Sequence, residues 1–346
     1  MATHKSTIVR AELHAAVPPG TPTPRPPRAP ALVRAFLRVT DPVAPGLSAR
    51  VAEALWFRLS PTPRGIRHLG TPAGGTPFTT RGDGLAVHGR TYGPEGAPTA
   101  YLVHGWAGWW QQLAALVQPL VDAGFRVVAY DAPSHGDSAA GAYGPRSSRV
   151  MEMADAYALV VRDHGPADLV VAHSIGAMAT MWAAARGTGA GAYAFVAAAA
   201  SVEPMLHTFG HTLHLGHRTR RRMAARIERR IGHPFAAFDV PDLARSVAGA
   251  QAAPRLLAVH DRDDRMTPVS GSVAITRAWP GSELRLTDGL GHRRILSHPE
   301  TIARVASFGS HRPQRTGART GTGTPLSPST APEQPRHAEP CRAQDR

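Results

Sequence analysis

The chain has 346 residues, a formal net charge of +14 and one cysteine, Cys341, which excludes an intramolecular disulfide and allows one large α/β domain with appendages. The first ten residues lack the apolar core of a secretory signal and no apolar run is long enough to cross a bilayer, so we expect a cytoplasmic protein. The positive charge suggests nucleic-acid binding, but no nucleic-acid-binding motif accompanies it, so we expect no specific nucleic-acid partner.

Composition separates the two ends from the rest of the chain. Pro, Thr, Gly and Arg dominate the ends and apolar residues are few, which predicts disordered segments over residues 1–30 and 309–346. Apolar residues recur at helical spacing from residue 31 to residue 59, with a break at 42–46, which predicts a helical arm and linker over 31–76. Two strand-like runs at 78–80 and 85–92 then flank Arg-Gly-Asp-Gly, which predicts a hairpin.

Apolar runs that end in polar turns follow the hairpin. Residues 100–106 read Ala-Tyr-Leu-Val-His-Gly-Trp, a buried strand that ends in His-Gly before an amphipathic stretch at 109–123. Residues 125–138 form another strand that enters a polar turn, where Asp131 and His135 are interpreted as residues that shape the turn.

Residues 170–176 read Val-Val-Ala-His-Ser-Ile-Gly and precede an alanine-rich stretch with helical character. This layout is typical of a nucleophile elbow, in which a strand turns sharply into a helix and exposes one serine hydroxyl, here Ser174. Ala172 stands where the motif has its first glycine and keeps the small profile that close packing needs. The alternative is that Ser174 only caps the helix.

Residues 201–249 follow an apolar strand at 193–200 and contain a cluster of arginines around Met223 and Ile227, which predicts a basic amphipathic helix. The arginines are Arg218, Arg220, Arg221, Arg222, Arg226, Arg229 and Arg230. A second hypothesis is that they attract acidic substrates or anionic lipid headgroups, a weak association with anionic surfaces.

Helical spacing would also align four histidines of this segment, but no carboxylate or cysteine is interleaved, so we expect no metal. They are His207, His211, His214 and His217.

Two further motifs lie downstream of the serine. Residues 255–268 form a strand that ends in three acids, Asp261, Asp263 and Asp264. Residues 288–296 place His292 in a glycine-bearing loop after a strand-like run at 283–287. The chain order is therefore serine, acid, histidine, which is the order of the α/β-hydrolase triad.

From about residue 78 to residue 308 the chain resembles a bacterial α/β-hydrolase. The resemblance implies the α/β-hydrolase fold over 77–308, a mostly parallel eight-stranded sheet flanked by helices, with a small helical lid at about 201–250. The apolar side of the basic helix would then face the active site. The family pattern His-Gly-x-x-Asp-x-x-Val-Pro matches residues 260–268, with Asp261 in place of glycine and Thr267 in place of valine. It implies Asp264 as the acid, with Asp261 and Asp263 as alternatives.

The family's His-Gly-x loop matches His104, Gly105 and Trp106, so the backbone N–H groups of Trp106 and Ile175 would form the oxyanion hole. The residue before the nucleophile points to the opposite face of its strand, so His173 is not expected to be the general base. The substrate pocket is expected to include residues of these loops, namely His104, Gly105, Trp109 and His173.

The implied function is a serine hydrolase that cleaves a carboxylic ester or thioester, with a small acyl compound as substrate and no cofactor. Ser174 would attack the carbonyl carbon, His292 would accept and return the proton, and Asp264 would orient His292. One alternative keeps the fold without catalysis, as a ligand-binding protein. A second alternative is a basic nucleic-acid-binding protein. The sequence indicates neither the acyl group nor the oligomeric state.

Overall fold

The computed structural model describes residues 31–60, 70–249 and 253–311. These residues form an eight-stranded sheet with the order β1-β2-β4-β3-β5-β6-β7-β8. The strands are β1 Thr76–Gly82, β2 Leu85–Tyr92, β3 Thr99–Val103, β4 Arg126–Tyr130, β5 Ala167–His173, β6 Ala192–Val196, β7 Arg255–Asp261 and β8 Glu283–Thr287. Strand β2 pairs antiparallel with β1 and β4, and every other pair in this order is parallel, which confirms the predicted sheet.

Helices cover both faces of the sheet. They are α1 Ala31–Val43, α2 Pro45–Trp56, α3 Val117–Asp122, α4 Val150–His164, α5 Ile175–Ala184, α6 Glu203–Thr212, α7 His217–Ile231, α8 Val240–Ala248, α9 Val269–Ala278, α10 Gly291–Arg294 and α11 Pro299–Ser310. The predicted amphipathic stretch after β3 is a 3₁₀ helix, Trp110–Leu116, that continues into α3. The predicted disordered segment 1–30 and all but three residues of 309–346 lie outside the described residues.

The central strands are apolar throughout because both of their faces are buried. Alternate residues of β5 enter different halves of the core: Val170 and Ala172 pack into one cluster, while Leu169 and Val171 pack into the other. Both clusters lie under helices, so the sheet is a rigid platform whose strand ends position the loops.

The predicted hairpin is confirmed. Strands β1 and β2 are joined at Asp83 and Gly84, which have φ of +51° and +75°. Two successive residues with positive φ form the turn whose twist matches that of paired strands, and a glycine at the second position avoids strain there.

The basic amphipathic helix is also present, as α7, and α6 to α8 form the helical insertion between β6 and β7. Its buried residues Met223 and Ile227 share a core cluster with Ala49 and Ala52 of α2, the helix against which α7 packs. The expectation that the apolar side of this helix faces the active site is therefore wrong. A helix from the arm occupies that side instead.

Glu53 of α2 lies at the seam between these two helices, with its side chain 5% exposed. One of its oxygens accepts a hydrogen bond from Arg226 Nε at 2.6 Å and the other from Arg230 Nη1 at 3.2 Å. The buried carboxylate thus has a charged partner on each oxygen, which offsets the cost of removing it from water.

Candidate active site

Ser174 lies in the sharp turn between β5 and α5 and has φ +54° and ψ −122°. A serine at positive φ is strained, and such strain persists only where the surrounding structure holds it. Here backbone hydrogen bonds with the end of β6 and the residues after it hold the serine. The Ser174 N–H donates to the Val196 carbonyl and the Ala199 N–H donates to the Ser174 carbonyl, both at 3.1 Å. This is the geometry of a nucleophile elbow.

Small residues flank the serine because α5 starts close against β3. A Cβ atom on Gly176 would lie 2.7 Å from the His104 carbonyl oxygen and 2.8 Å from that of Val103, which is too close for any side chain. Ala172 is fully buried and pairs in register with Val103 and Phe195 of the neighbouring strands. Alanine therefore fits where the motif has its first glycine.

His292 and Asp264 form a buried pair. The imidazole Nδ1 lies 2.7 Å from Asp264 Oδ2, and the two residues are 8% and 1% exposed. An ionised carboxylate can only accept, so Nδ1 carries a hydrogen, and in the neutral imidazole the lone pair is on Nε2.

The Asp264 carboxylate is held by several other donors. Its Oδ1 accepts the backbone N–H groups of Met266 at 2.7 Å and Thr267 at 3.0 Å. Its Oδ2 lies 2.9 Å from the Thr267 hydroxyl and 3.4 Å from His260 Nε2. Burial would raise the pKa of Asp264, but the hydrogen bonds from His260 and His292 outweigh it and place the pKa well below its ordinary value. The carboxylate is therefore ionised at neutral pH.

His260 is a buried support beneath this carboxylate. Its Nε2 lies 3.1 Å from the Thr267 carbonyl oxygen, which can only accept, so Nε2 carries a hydrogen. Its Nδ1 lies 2.7 Å from the hydroxyl of Ser272 in α9. The ring therefore ties the acid loop to the helix that follows it.

Asp261 and Asp263, the alternative acids, bond the histidine loop instead of His292. Asp261 Oδ2 lies 2.8 Å from the Thr287 hydroxyl and 3.0 Å from the Leu290 N–H. Asp263 Oδ2 accepts the Gly289 N–H at 3.0 Å. Of the three acids at the end of β7 and in the loop that follows, Asp264 is the one that contacts the imidazole of His292.

His173 connects the elbow to the histidine loop. Its Nε2–H donates to the His292 carbonyl oxygen at 3.0 Å, and the two rings lie 4.6 Å apart. Burial, assisted by the neighbouring His292, lowers the pKa of His173 to about 3, so the ring is neutral. His292 is thereby placed beside the residue that precedes Ser174.

The His-Gly loop after β3 passes directly against the elbow. A Cβ atom on Gly105 would lie 3.0 Å from Ser174 Cβ and 3.2 Å from His173 Nδ1. His104 is buried, its Nδ1–H donates to the Gly105 carbonyl at 2.8 Å, and its Nε2 accepts the Ala132 N–H at 2.9 Å. Burial lowers the pKa of His104 to about 3. Both of its ring nitrogens are committed to backbone groups, so the side chain holds the loop.

Trp106, predicted for the oxyanion hole, and Trp109, predicted for the substrate pocket, lie on the same loop. Trp106 is half-buried, with its ring 6.0 Å from that of His135, and Trp109 is also half-buried.

Asp131 shapes the turn after β4, as expected, because its two oxygens accept the backbone N–H groups of Trp110 and Asp137, both at 2.8 Å.

Sequence reasoning missed the supporting roles of His260, Ser272 and the Thr267 hydroxyl. A signal was available for Thr267, because it replaces the family's valine three residues after the acid. The pairing of His260 with Ser272 depends on the path of α9 and left no local pattern.

The histidine-rich segment does not assemble a metal site. His207 and His211 lie 3.1 Å apart through their Nε2 atoms, and an Arg220 nitrogen lies 3.3 Å from the latter. Within residues 31–60, 70–249 and 253–311, no group of three or more His, Cys, Asp or Glu could hold a metal ion. No helix in these same ranges is long and apolar enough to cross a bilayer.

Comparisons with known proteins identify the family of the chain. A model of the alpha/beta hydrolase family matches residues 100–305, which include the elbow, the acid loop and the histidine loop. No curated protein matches the chain.

Solved structures share its fold at low sequence identity. A membrane phospholipase A, a bacterial virulence factor, is 19% identical over 80% of this chain and 94% of its own, with a TM-score of 0.51. Est816, an enzyme that degrades N-acyl homoserine lactones, is 16% identical over 67% and 99%, with a TM-score of 0.51. An esterase from Rhodococcus sp. is 18% identical over 68% and 98%, with a TM-score of 0.50.

Proposed function

The chain belongs to the alpha/beta hydrolase family, and we propose that it is a serine hydrolase that cleaves a carboxylic ester or thioester through an acyl-enzyme on Ser174. The observation that carries this proposal is the buried Asp264–His292 pair, whose imidazole lies against His173, the residue before a serine held at positive φ. Serine is a weak nucleophile unless a base accepts its proton, and this arrangement supplies the base and the group that orients it.

In the first half-reaction, the Ser174 oxygen attacks the substrate carbonyl carbon while His292 Nε2 accepts the hydroxyl proton. Asp264 keeps the hydrogen on Nδ1, so that Nε2 can act as the base, and it stabilises the imidazolium that forms. The imidazolium then protonates the leaving alcohol or thiol as its bond to the carbonyl carbon breaks. An acyl-serine ester remains.

Water completes the reaction in the second half. His292 accepts a proton from the water as its oxygen attacks the acyl carbon, and it returns that proton to Ser174 Oγ as the ester breaks. The products are the carboxylic acid and the free enzyme.

We assign the oxyanion hole to the backbone N–H groups of Ile175 and Trp106. Ile175 is the first residue of α5, where a helix leaves N–H groups without intrahelical partners. The close approach of Gly105 to Ser174 brings the Trp106 loop to the same side of the elbow. One such donor is typically worth about 10²- to 10³-fold in rate.

The names of the structural neighbours support an acyl substrate, since they include a phospholipase, an esterase and an enzyme that degrades acyl lactones. We therefore propose a small acyl ester or thioester as the substrate, bound beside the Trp106–Trp109 loop. In this proposal His104 and His173 hold the loops in place. This role differs from the predicted one, in which both residues line the substrate pocket.

A fluorophosphonate probe read by intact mass tests the nucleophile. We expect one adduct on the wild type and none on Ser174→Ala, because only a serine activated by a base attacks the phosphorus. Ser246→Ala, which removes an exposed serine of α8, is the matched control and should label as the wild type does.

Absence of an adduct on the folded wild type would contradict the proposal and favour the non-catalytic ligand-binding alternative. With an adduct established, p-nitrophenyl esters and acyl thioesters of increasing chain length would identify the acyl group.

A further inference from the structure

Helix α1 exposes a row of large apolar side chains. Leu32, Phe36, Val39 and Val43 follow one another at spacings of four, three and four, which places them on one face of the helix. Leu47 at the start of α2 extends the row. The exposed fractions of these five side chains, hereafter the apolar stripe, are 85% for Leu32, 39% for Phe36, 69% for Val39, 79% for Val43 and 44% for Leu47.

The stripe points away from the protein because the opposite face of α1 is held against it. Leu37 is fully buried in the larger core cluster. Asp41 Oδ2 accepts the Gly216 N–H at the start of α7 at 2.9 Å. Single exposed apolar residues are ordinary on protein surfaces, but a contiguous row is typical of an interaction site.

Arginines lie beside the end of this stripe that Leu47 forms. Arg34 and Arg38 of α1 are not among them, because they lie on the other side of the helix and line a pocket of about 300 Å³ together with His214. The guanidinium of Arg222 lies 3.3 Å from the position of a Cβ on Gly46, next to Leu47. The first turns of α7 add two more exposed cations. The arginine rim is defined as Arg218, Arg221 and Arg222.

The positive charge of the rim is not neutralised locally. Glu53, the acid buried beneath these helices, pairs with Arg226 and Arg230. Within the part of the chain that the structure describes, no carboxylate pairs with an arginine of the rim. A partner for this face must therefore offer both an apolar interior and negative charge.

We propose that the face formed by α1, the start of α2 and the start of α7 docks on an anionic lipid bilayer. The apolar stripe enters the boundary between headgroups and acyl chains, and the arginine rim contacts the headgroup phosphates. Interfacial helices combine an apolar face with basic residues in this way. The arginines add attraction to anionic lipids.

Other occupants match this face less well. Nucleic acid offers no apolar surface for the stripe, and a second copy of the chain would bring two arginine rims together. Residues 1–30 and 312–346 each contain more Lys and Arg than Asp and Glu, so neither would neutralise the rim.

Vesicle flotation of the full-length protein tests the docking. We expect binding to vesicles of phosphatidylcholine with about one third phosphatidylglycerol and little binding to phosphatidylcholine alone. The binding should weaken between about 0.1 M and about 0.5 M salt, because salt screens exposed charges. Flotation does not depend on hydrolysis, so its result is independent of the proposed reaction.

Two double variants separate the contributions. Arg218→Gln with Arg221→Gln should weaken binding about 25-fold, at roughly fivefold for each arginine near the surface. Leu32→Ser with Val39→Ser should weaken it at least about tenfold. Arg81→Gln with Arg277→Gln removes the same charge from exposed sites on β1 and α9 and should change binding less than about twofold. Circular dichroism would establish that every variant is folded.

Several outcomes would overturn the proposal. These are absence of vesicle binding, equal binding to neutral and anionic vesicles, or folded variants that bind like the wild type. If the wild type sediments as a dimer and the variant Leu32→Ser with Val39→Ser sediments as a monomer, the face binds a second copy of the chain. Binding to DNA in preference to vesicles, unchanged by the serine substitutions, would assign the rim to nucleic acid.

Discussion

Two regions of the molecule are built in different ways. One is the catalytic loops, which carry Ser174, Asp264 and His292, and the other is the arm–insertion face, formed by α1, α2 and α7. In the catalytic loops, the side chains of Asp264, His292 and His260 are buried, and hydrogen bonds among them and from the backbone of the acid loop hold the carboxylate. On the arm–insertion face, the charges project into solvent, and one buried carboxylate, Glu53, pairs across the seam. Substitutions in the first region should therefore change rate, whereas those in the second should change stability or surface binding.

The largest effect is expected at the acid. Asp264→Asn should lower kcat by about 10³- to 10⁴-fold, because an amide can place its N–H toward Nδ1 and favour the wrong tautomer of His292. Ester hydrolysis at neutral pH measures this. Asp263→Asn, on the same loop but bonded to the Gly289 N–H, is the matched control and should cost less than about tenfold. Equal losses in the two variants would contradict the assignment of the acid.

Glu53→Gln tests the opposite region. It removes the charge that pairs with Arg226 and Arg230 and should lower the free energy of unfolding by about 2 kcal/mol. This lies below the range for a fully buried pair, because both arginines can reach water. Urea denaturation measures the change.

The control for this variant is Asp242→Asn, which breaks an exposed pair with Arg245 and should cost less than about 0.5 kcal/mol. The kcat of Glu53→Gln should stay within about threefold of the wild type. A stable Glu53→Gln protein that loses its activity would show that the arm acts on the catalytic loops and would break the contrast between the regions.

The catalytic side should also be the acid-sensitive one. Burial lowers the pKa of His135 to about 4, below the 6.5 of an exposed imidazole. The folded protein then binds fewer protons than the unfolded chain between these two values, so the free energy of unfolding falls as pH decreases through this window.

The free energy of unfolding should decrease from pH 7 to pH 5 by about 1–2 kcal/mol less in His135→Leu than in the wild type. Urea denaturation at both pH values measures it. His217→Leu, at an exposed position of α7, is the matched control. If wild type and His135→Leu lose the same stability over this interval, the buried neutral histidine is not the cause.

The two regions also differ in how far the sequence predicts them. Strand ends carry local patterns, so the elbow at Ser174, the hairpin and the order of the motifs could be predicted. The choice among three acids could not be made from the residues alone, because it depends on the turn that directs Asp264 toward His292. The element that covers the apolar side of α7 could not be predicted, since an amphipathic helix does not show what packs against it.

Thr267 offers the finest test within the catalytic loops. Its hydroxyl lies 2.9 Å from Asp264 Oδ2, 3.2 Å from His292 Nδ1 and 3.1 Å from the Ala197 carbonyl oxygen. Thr267→Val keeps the shape of the side chain and removes these contacts. Asp264 would keep two backbone N–H donors, so kcat should fall by less than about tenfold with KM unchanged.

The matched control is Thr276→Val, because the hydroxyl of Thr276 is equally buried but bonds only carbonyls of its own helix, α9. Steady-state kinetics and denaturation of both variants separate positioning from stability. A kcat loss confined to Thr267→Val would make the hydroxyl a positioning group for the Asp264–His292 pair. Equal kcat in both variants would mean that the backbone N–H groups and His260 suffice, and that threonine at this position does no more than the valine of the family pattern.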